Sequence, residues 1–154
     1  MHLQKSPNAW SCLPTAFAMA IGCPVENLIH SVGHDGSRIA WPDLKDPIRR
    51  RGFHIQELIA ILYVLSYSVT PIEDYARIAP DASAWPCDID NIFTFDHAIN
   101  HARGVLTGYT TCGHAVAYDH GIVCDPRGMA YKLSDRIDFH PTCAWIIRKV
   151  NCEV

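Results

Sequence analysis

Positive charge is in short supply in this sequence. Its 13 Lys and Arg are outnumbered by 16 Asp and Glu, for a formal net charge of -3 and a pI near 6.3. That removes the electrostatic ground for a nucleic-acid or anionic-membrane partner. The only basic cluster, Arg49-Arg50-Arg51, reads as a solvated turn. Long apolar runs are missing as well. None reaches the length of a bilayer span, and the opening Met1-His2-Leu3-Gln4-Lys5-Ser6-Pro7 has no signal-peptide core. A soluble, cytoplasmic protein that engages neither membrane nor nucleic acid is therefore expected. Closely paired cysteines are absent too. The seven cysteines, at 12, 23, 87, 112, 124, 143 and 152, are odd in number and scattered. At least one has no intramolecular disulfide partner, and reduced thiols fit better than a disulfide framework. There is no internal repeat and no low-complexity tract.

What is present, 49% hydrophobic and 19% charged residues over 154 positions, is the composition of one globular domain, 1–154, able to bury a core. Its centre is the stretch from Asn8 to Gly22, which reads as a helix with Cys12 in its first turn. Ser11 is an N-cap, Pro14 falls where helix N–H groups lack partners, and the Ala/Phe/Met run supplies helix formers before the stop at Gly22. The positive end of that helix points at the Cys12 sulfur and favours the thiolate, the form that attacks carbonyls. A cysteine in such a helix is equally well a small apolar core residue, so a partner base has to decide. Gln4 and Asn8, in the Pro-containing lead-in, bring two amides into the neighbourhood.

Pro24 opens a short helix through Val25-Glu26-Asn27-Leu28-Ile29, ending before Gly33. The Gly-, Asp-, Ser- and Pro-rich stretch from Gly33 to Pro47, with Trp41-Pro42, reads as a long surface loop. Ile55, Leu58, Ile59, Leu62, Val64 and Leu65 follow the spacing of a helix with one buried face. Tyr67 to Thr70 is a short strand stopped by Pro71, and Ala79 to Asn91, with Trp85, is irregular. Phe93 to Ala102 forms a helix that sets His97 and His101 one turn apart. Without the Glu of a His-Glu-x-x-His helix or cysteines at metal spacing, no metal site and no cofactor is expected. The last third holds short β-type runs at Val105–Tyr109, Ala115–Tyr118, Ile122–Cys124 and Ala144–Ile147, separated by turn residues. Helices first and strands afterwards give an α+β fold, with the Cys12 helix packed on a C-terminal antiparallel sheet.

The hairpin at Asp119-His120-Gly121 supplies a base. If Asp119-His120 is a two-residue turn, His114 faces Asp125. A three-residue loop through Gly121 moves the partner to Pro126 and leaves Asp125 adjacent. Either way an imidazole and a carboxylate share a face, and the carboxylate can fix the tautomer and steady the imidazolium. Each residue alone has a plainer reading, Asp125-Pro126 as a strand-ending turn and His114 as a packed strand residue. Together with a helix-start cysteine upstream, the chain order Cys, His, Asp is one of the known triad orders.

Gln4 with Trp10-Ser11-Cys12-Leu13-Pro14-Thr15-Ala16-Phe17-Ala18-Met19, Gly113-His114-Ala115-Val116 and Cys124-Asp125-Pro126 resemble the motifs of the bacteriocin-processing, double-glycine-leader peptidases and their wider papain-like relatives. The similarity extends to the helix at Ile55 to Leu65 and the closing strand Cys143 to Lys149. The resemblance implies a papain-like fold with Cys12 as nucleophile, His114 as general base and acid, Asp125 as orienting residue and Gln4 as oxyanion-hole donor. Gln4 stands farther from the cysteine than in the family, so Asn8 competes for that role, and Leu13 replaces a glycine. The expected function is a cysteine peptidase acting on a peptide or protein substrate through an acyl-enzyme. The alternative is a catalytically silent domain of the same fold that binds a peptide or protein.

Overall fold

Seven consecutive residues of the first helix, Pro14 to Ala20, are buried. A helix that is apolar on every side has to run between other elements, and this one does. In a computed structural model, which describes residues 1–38, 52–73, 95–135 and 138–150, α1 (Cys12–Ile21) lies between the sheet and the helices α2 (Val25–Val32) and α3 (Ile55–Val64). Gly22 ends α1 in the left-handed region, φ 78°, with its N–H on the Ala18 carbonyl, a conformation that favours glycine. His54 starts α3 in place of the usual hydroxyl or amide cap. Its side chain accepts from the Gln56 N–H, while the Glu57 carboxylate accepts from the His54 N–H at 2.7 Å. The expected surface loop beyond residue 38, the arginine cluster and the stretch around Trp85 lie outside the described residues.

Six strands form one antiparallel sheet: β1 (Tyr67–Glu73), β2 (Arg103–Tyr109), β3 (Gly113–Asp119), β4 (Ile122–Asp125), β5 (Met129–Lys132) and β6 (His140–Lys149), in the order β1-β6-β2-β3-β4-β5. The fold is α+β. The strand alternation sorts the core into two layers. Val105, Ala115, Ala117, Cys124 and Ile147 pack with α1, α2 and α3. Leu106, Val116, Tyr118, Val123 and Ala144 pack with Phe139 and with Ile99 of α4 (Phe95–His101). Ala16, Ala18 and Ala20 of α1 share one core cluster with Ala115 and Ala117 of β3. Among the described residues no single helix is long and apolar enough to cross a membrane.

Two sequence expectations need correction here, and one strand went unread. Pro71 does not stop its strand: β1 continues to Glu73, with Pro71 opposite Trp145. This is an edge strand, where a residue without an N–H need break no ladder bond. Val64 and Leu65 do not join the buried face of α3, since they are 79% and 47% exposed and only Leu58 and Leu62 of that helix are fully buried. The strand β5 had no counterpart in the sequence reading, because Met129-Ala130-Tyr131-Lys132 is too short and mixed to stand out.

The sheet depends on two close backbone approaches to β6. A Cβ on Gly104 would run into the Trp145 carbonyl, and one on Gly108 into the His140 carbonyl. Gly108 also adjoins the point where the β2–β6 register shifts, a β-bulge one strand away from His114. Gly104→Ala should therefore cost about 2 kcal/mol of stability, lowering the melting temperature by about 6 °C in a chain of this size. Gly113→Ala, whose Cβ meets nothing within 4 Å, is the control that should melt close to the parent.

Candidate active site

The β3–β4 hairpin turns on His120-Gly121, with φ 50° and 83°, the two positive values of a type I′ turn. Asp119 opposes Ile122 and Ala117 opposes Cys124. The turn is thus one residue later than Asp119-His120, and Asp125 falls opposite Val116 rather than opposite His114. The period of two keeps Asp125 and His114 on one face, diagonally placed. His114 Nε2 lies 3.1 Å from Asp125 Oδ1. A carboxylate only accepts, so Nε2 donates. Nδ1 is then the nitrogen left for the sulfur of Cys12, the other hydrogen-bond and charge partner of this imidazole. Phe139 presses edge-on against the ring at 5.8 Å and limits its rotation.

Asp125 has no exposed surface, and a carboxylate so buried must be compensated. It is compensated on every side. Oδ1 takes the backbone N–H of Arg127 at 2.8 Å as well as His114. Oδ2 takes Arg127 Nη2 at 2.7 Å, and Arg127 Nε reaches both oxygens at 3.0 and 3.1 Å. The Tyr131 hydroxyl stands 3.5 Å from Oδ2. Burial works to raise the Asp125 pKa, but the hydrogen bonds from His114 and Arg127 and the His114 charge hold it well below the usual carboxylate range. For His114, burial works to lower the pKa. The hydrogen bonds to Asp125 and then Cys12, with their charges, win and push it up to about 9. At neutral pH the histidine is an imidazolium, set between the Asp125 carboxylate and the Cys12 sulfur.

The start of α1 is arranged for an anion. The Ser11 hydroxyl does not cap the helix as the sequence suggested. It is buried and donates instead to Asn8 Oδ1 at 2.6 Å, an oxygen that also accepts from the Trp10 N–H at 3.1 Å. The first-turn N–H groups of α1 therefore keep no side-chain acceptor, and Cys12, half-buried, sits among them. With Oδ1 of Asn8 doubly engaged, its Nδ2 is the donor left to offer. Gln4 does not come to this end of the helix. Its Nε2 donates to the Cys23 carbonyl at 2.8 Å and its Oε1 accepts from the Val25 N–H at 2.9 Å, so it ties the far end of α1 to α2. The Gln4 assignment to an oxyanion hole is corrected on that ground.

Arg127 and Tyr131 were missed by sequence reading. A signal for the first did exist: Asp125-Pro126-Arg127-Gly128 has Asp, Pro and Gly at the positions a type I turn prefers. The Gly128 N–H meets the Asp125 carbonyl at 2.8 Å, and Gly128 has φ 95°. An Asp at the head of such a turn accepts from the residue two places on. Asp119 is no substitute acid, being held at the other end of β3 by Arg103 at 2.6 Å and His120 at 2.6 Å. His97 and His101 do lie one turn apart, their rings tilted by 33° with 4.3 Å between centres. Among the described residues no group of three or more His, Cys, Asp or Glu could hold a metal ion. No known family model matches the chain, and comparison with curated proteins gives no match.

The His114 pKa sets a pH window. A value raised from 6.5 to about 9 means the folded state prefers the imidazolium. That contribution to stability is complete below about pH 6.5 and is lost as pH rises through about 9. The parent melting temperature should fall across that interval more steeply than that of Asp125→Asn, in which His114 returns toward its ordinary value. Parallel melting curves for the two proteins above pH 6.5 would contradict the assignment.

Proposed function

We propose that this protein is a cysteine peptidase of papain-like fold that cleaves a peptide or isopeptide bond by acyl transfer. One observation supports this reading above all. A single imidazole joins a cysteine at a helix N-terminus to a fully buried, fully hydrogen-bonded carboxylate. Leu13, which replaces the glycine of the family pattern, is partly buried and packs against the core around α1.

In the proposed reaction the Cys12 thiolate attacks the carbonyl carbon. The oxygen takes the negative charge and is met by the Cys12 backbone N–H and Asn8 Nδ2. His114 passes its Nδ1 proton to the leaving nitrogen as the C–N bond breaks, and the amine departs. The now neutral His114 takes a proton from water, whose oxygen attacks the thioester. Collapse of that intermediate releases the acid and restores the thiolate–imidazolium pair. Asp125 keeps the ring in the tautomer that both steps need and stabilises it when charged.

Hydrolysis of a peptide library should disappear in Cys12→Ala and fall about a thousandfold or more in His114→Ala. Asp125→Asn should cost less, and His114→Ala with Asp125→Ala should not add, as for residues acting as one unit. Asn8→Ala should lower kcat by about a hundredfold with KM little changed, whereas Gln4→Ala should lower the melting temperature without a specific loss in kcat. Iodoacetamide should label Cys12 faster in the parent than in His114→Ala. Peptide binding without turnover, altered modestly and independently by the three substitutions, would instead identify a binding module.

A further inference from the structure

Arg127 belongs to neither the sequence motif nor the proposed reaction, yet it makes more contacts to Asp125 than His114 does. Its fork spans both carboxylate oxygens, its own backbone N–H adds a further bond, and its Nη1 reaches out to Asp138 Oδ2 at 3.4 Å. The backbone bond alone would hold Asp125 in its turn. The guanidinium does something besides anchoring: it sets a positive charge against both carboxylate oxygens, Oδ1 being shared with the imidazolium. Two cations then share one anion, and each weakens the hold on the other.

We propose that Arg127 is the positioning residue that tunes this triad: by forking onto Asp125 it takes up part of the carboxylate's charge and limits how tightly Asp125 holds the proton on His114. This deepens the peptidase reading and, in its consequence for turnover, rests on it. An imidazolium between a thiolate and an unshared buried carboxylate would be a poor general acid, since the proton must leave for the substrate nitrogen in every cycle. The Arg127 charge makes the proton transferable while the fork keeps Oδ1 aimed at Nε2. Among the described residues the groups facing the pair are Cys12 from α1, Tyr131 from β5 and Asp138, just ahead of β6, through Arg127. Arg127 is 39% exposed at its side chain, so water can replace the fork without leaving a void.

The test is an NMR pH titration of the His114 ring in the full chain with Cys12→Ala as background, which takes the thiolate out of the comparison. Arg127→Gln should raise the His114 midpoint by about one pH unit. Arg127→Lys, which keeps the charge but loses the fork, should raise it by less than half as much, and it serves as the measurement should the Gln variant fail to fold. A midpoint that stays put or falls in a folded Arg127 variant overturns the proposal, because Arg127 would then only hold Asp125 in place. In the Cys12-containing protein, the alkaline limb of kcat/KM should move upward in Arg127→Gln by the same amount, with kcat reduced more than KM is changed. The titration needs no substrate, so absence of turnover in the parent would count against the peptidase reading while leaving the charge-sharing result to be judged by itself.

Discussion

A charge without any exposed surface governs this molecule. Asp125 is ionised at the junction of β4 and the turn that leads to β5, and taking a carboxylate out of water is tolerable only if its oxygens are met by donors and its charge by cations. The local sequence provides them within two residues. Pro126 and Gly128 shape a turn that brings the Arg127 N–H and guanidinium onto the carboxylate, and the strand alternation provides His114. Removing any one partner leaves a buried anion short of a donor. Stability and chemistry are therefore coupled here: the same bonds that make Asp125 tolerable give His114 its orientation and its proton.

The second requirement is a helix start held at a fixed distance from that pair. The burial of α1 on all sides allows little sliding against β3, because well-packed interiors resist changes of even a methylene. A larger residue at Ala16 or Ala117 would push the helix off the strand that bears His114. Gly108, directly paired with His114, lets the β6 backbone come close to β2 next to the register shift, at the end of the sheet that carries the imidazole.

Much of this was legible in the sequence. Start residues, helix formers and glycine stops gave α1 and α2, and periodicity gave the span of α3, since all of these act locally. The strands of the last third announced themselves through β-branched and aromatic runs between turn residues. What local reasoning could not supply was position within the sheet. Pro71 ends a strand only if both sides must be hydrogen-bonded, and nothing local says that β1 is at an edge. The hairpin register turned on whether residue 119 or 120 began the turn, a difference that moved the partner of His114 by two residues yet left the shared face intact. Arg127 was invisible for another reason. Its significance lies in burial of its neighbour, and burial is a property of the whole fold. Gln4 was misplaced because an amide near a cysteine in sequence was taken as near it in space, whereas α1 separates them by its full length of roughly 15 Å.

The lead-in to α1 completes the argument, because it ties the two halves of the site together through the main chain. The Ser6 N–H donates to the Pro126 carbonyl at 2.8 Å, within the turn that carries Asp125 and Arg127. Two residues later Asn8 accepts the Ser11 hydroxyl, immediately before Cys12. A single strap thus runs from the turn that holds the acid to the helix turn that holds the thiol, and Gln4 pins its other end to the α1–α2 junction. The Ser6–Pro126 bond is backbone to backbone, while the Asn8–Ser11 and Gln4 links run through side chains, so the spacing between acid and thiol rests on both kinds of bond. His114, arriving from a different part of the chain, then has only one gap to fill, with Phe139 limiting its swing. Freedom is thereby confined to the one group whose proton must move.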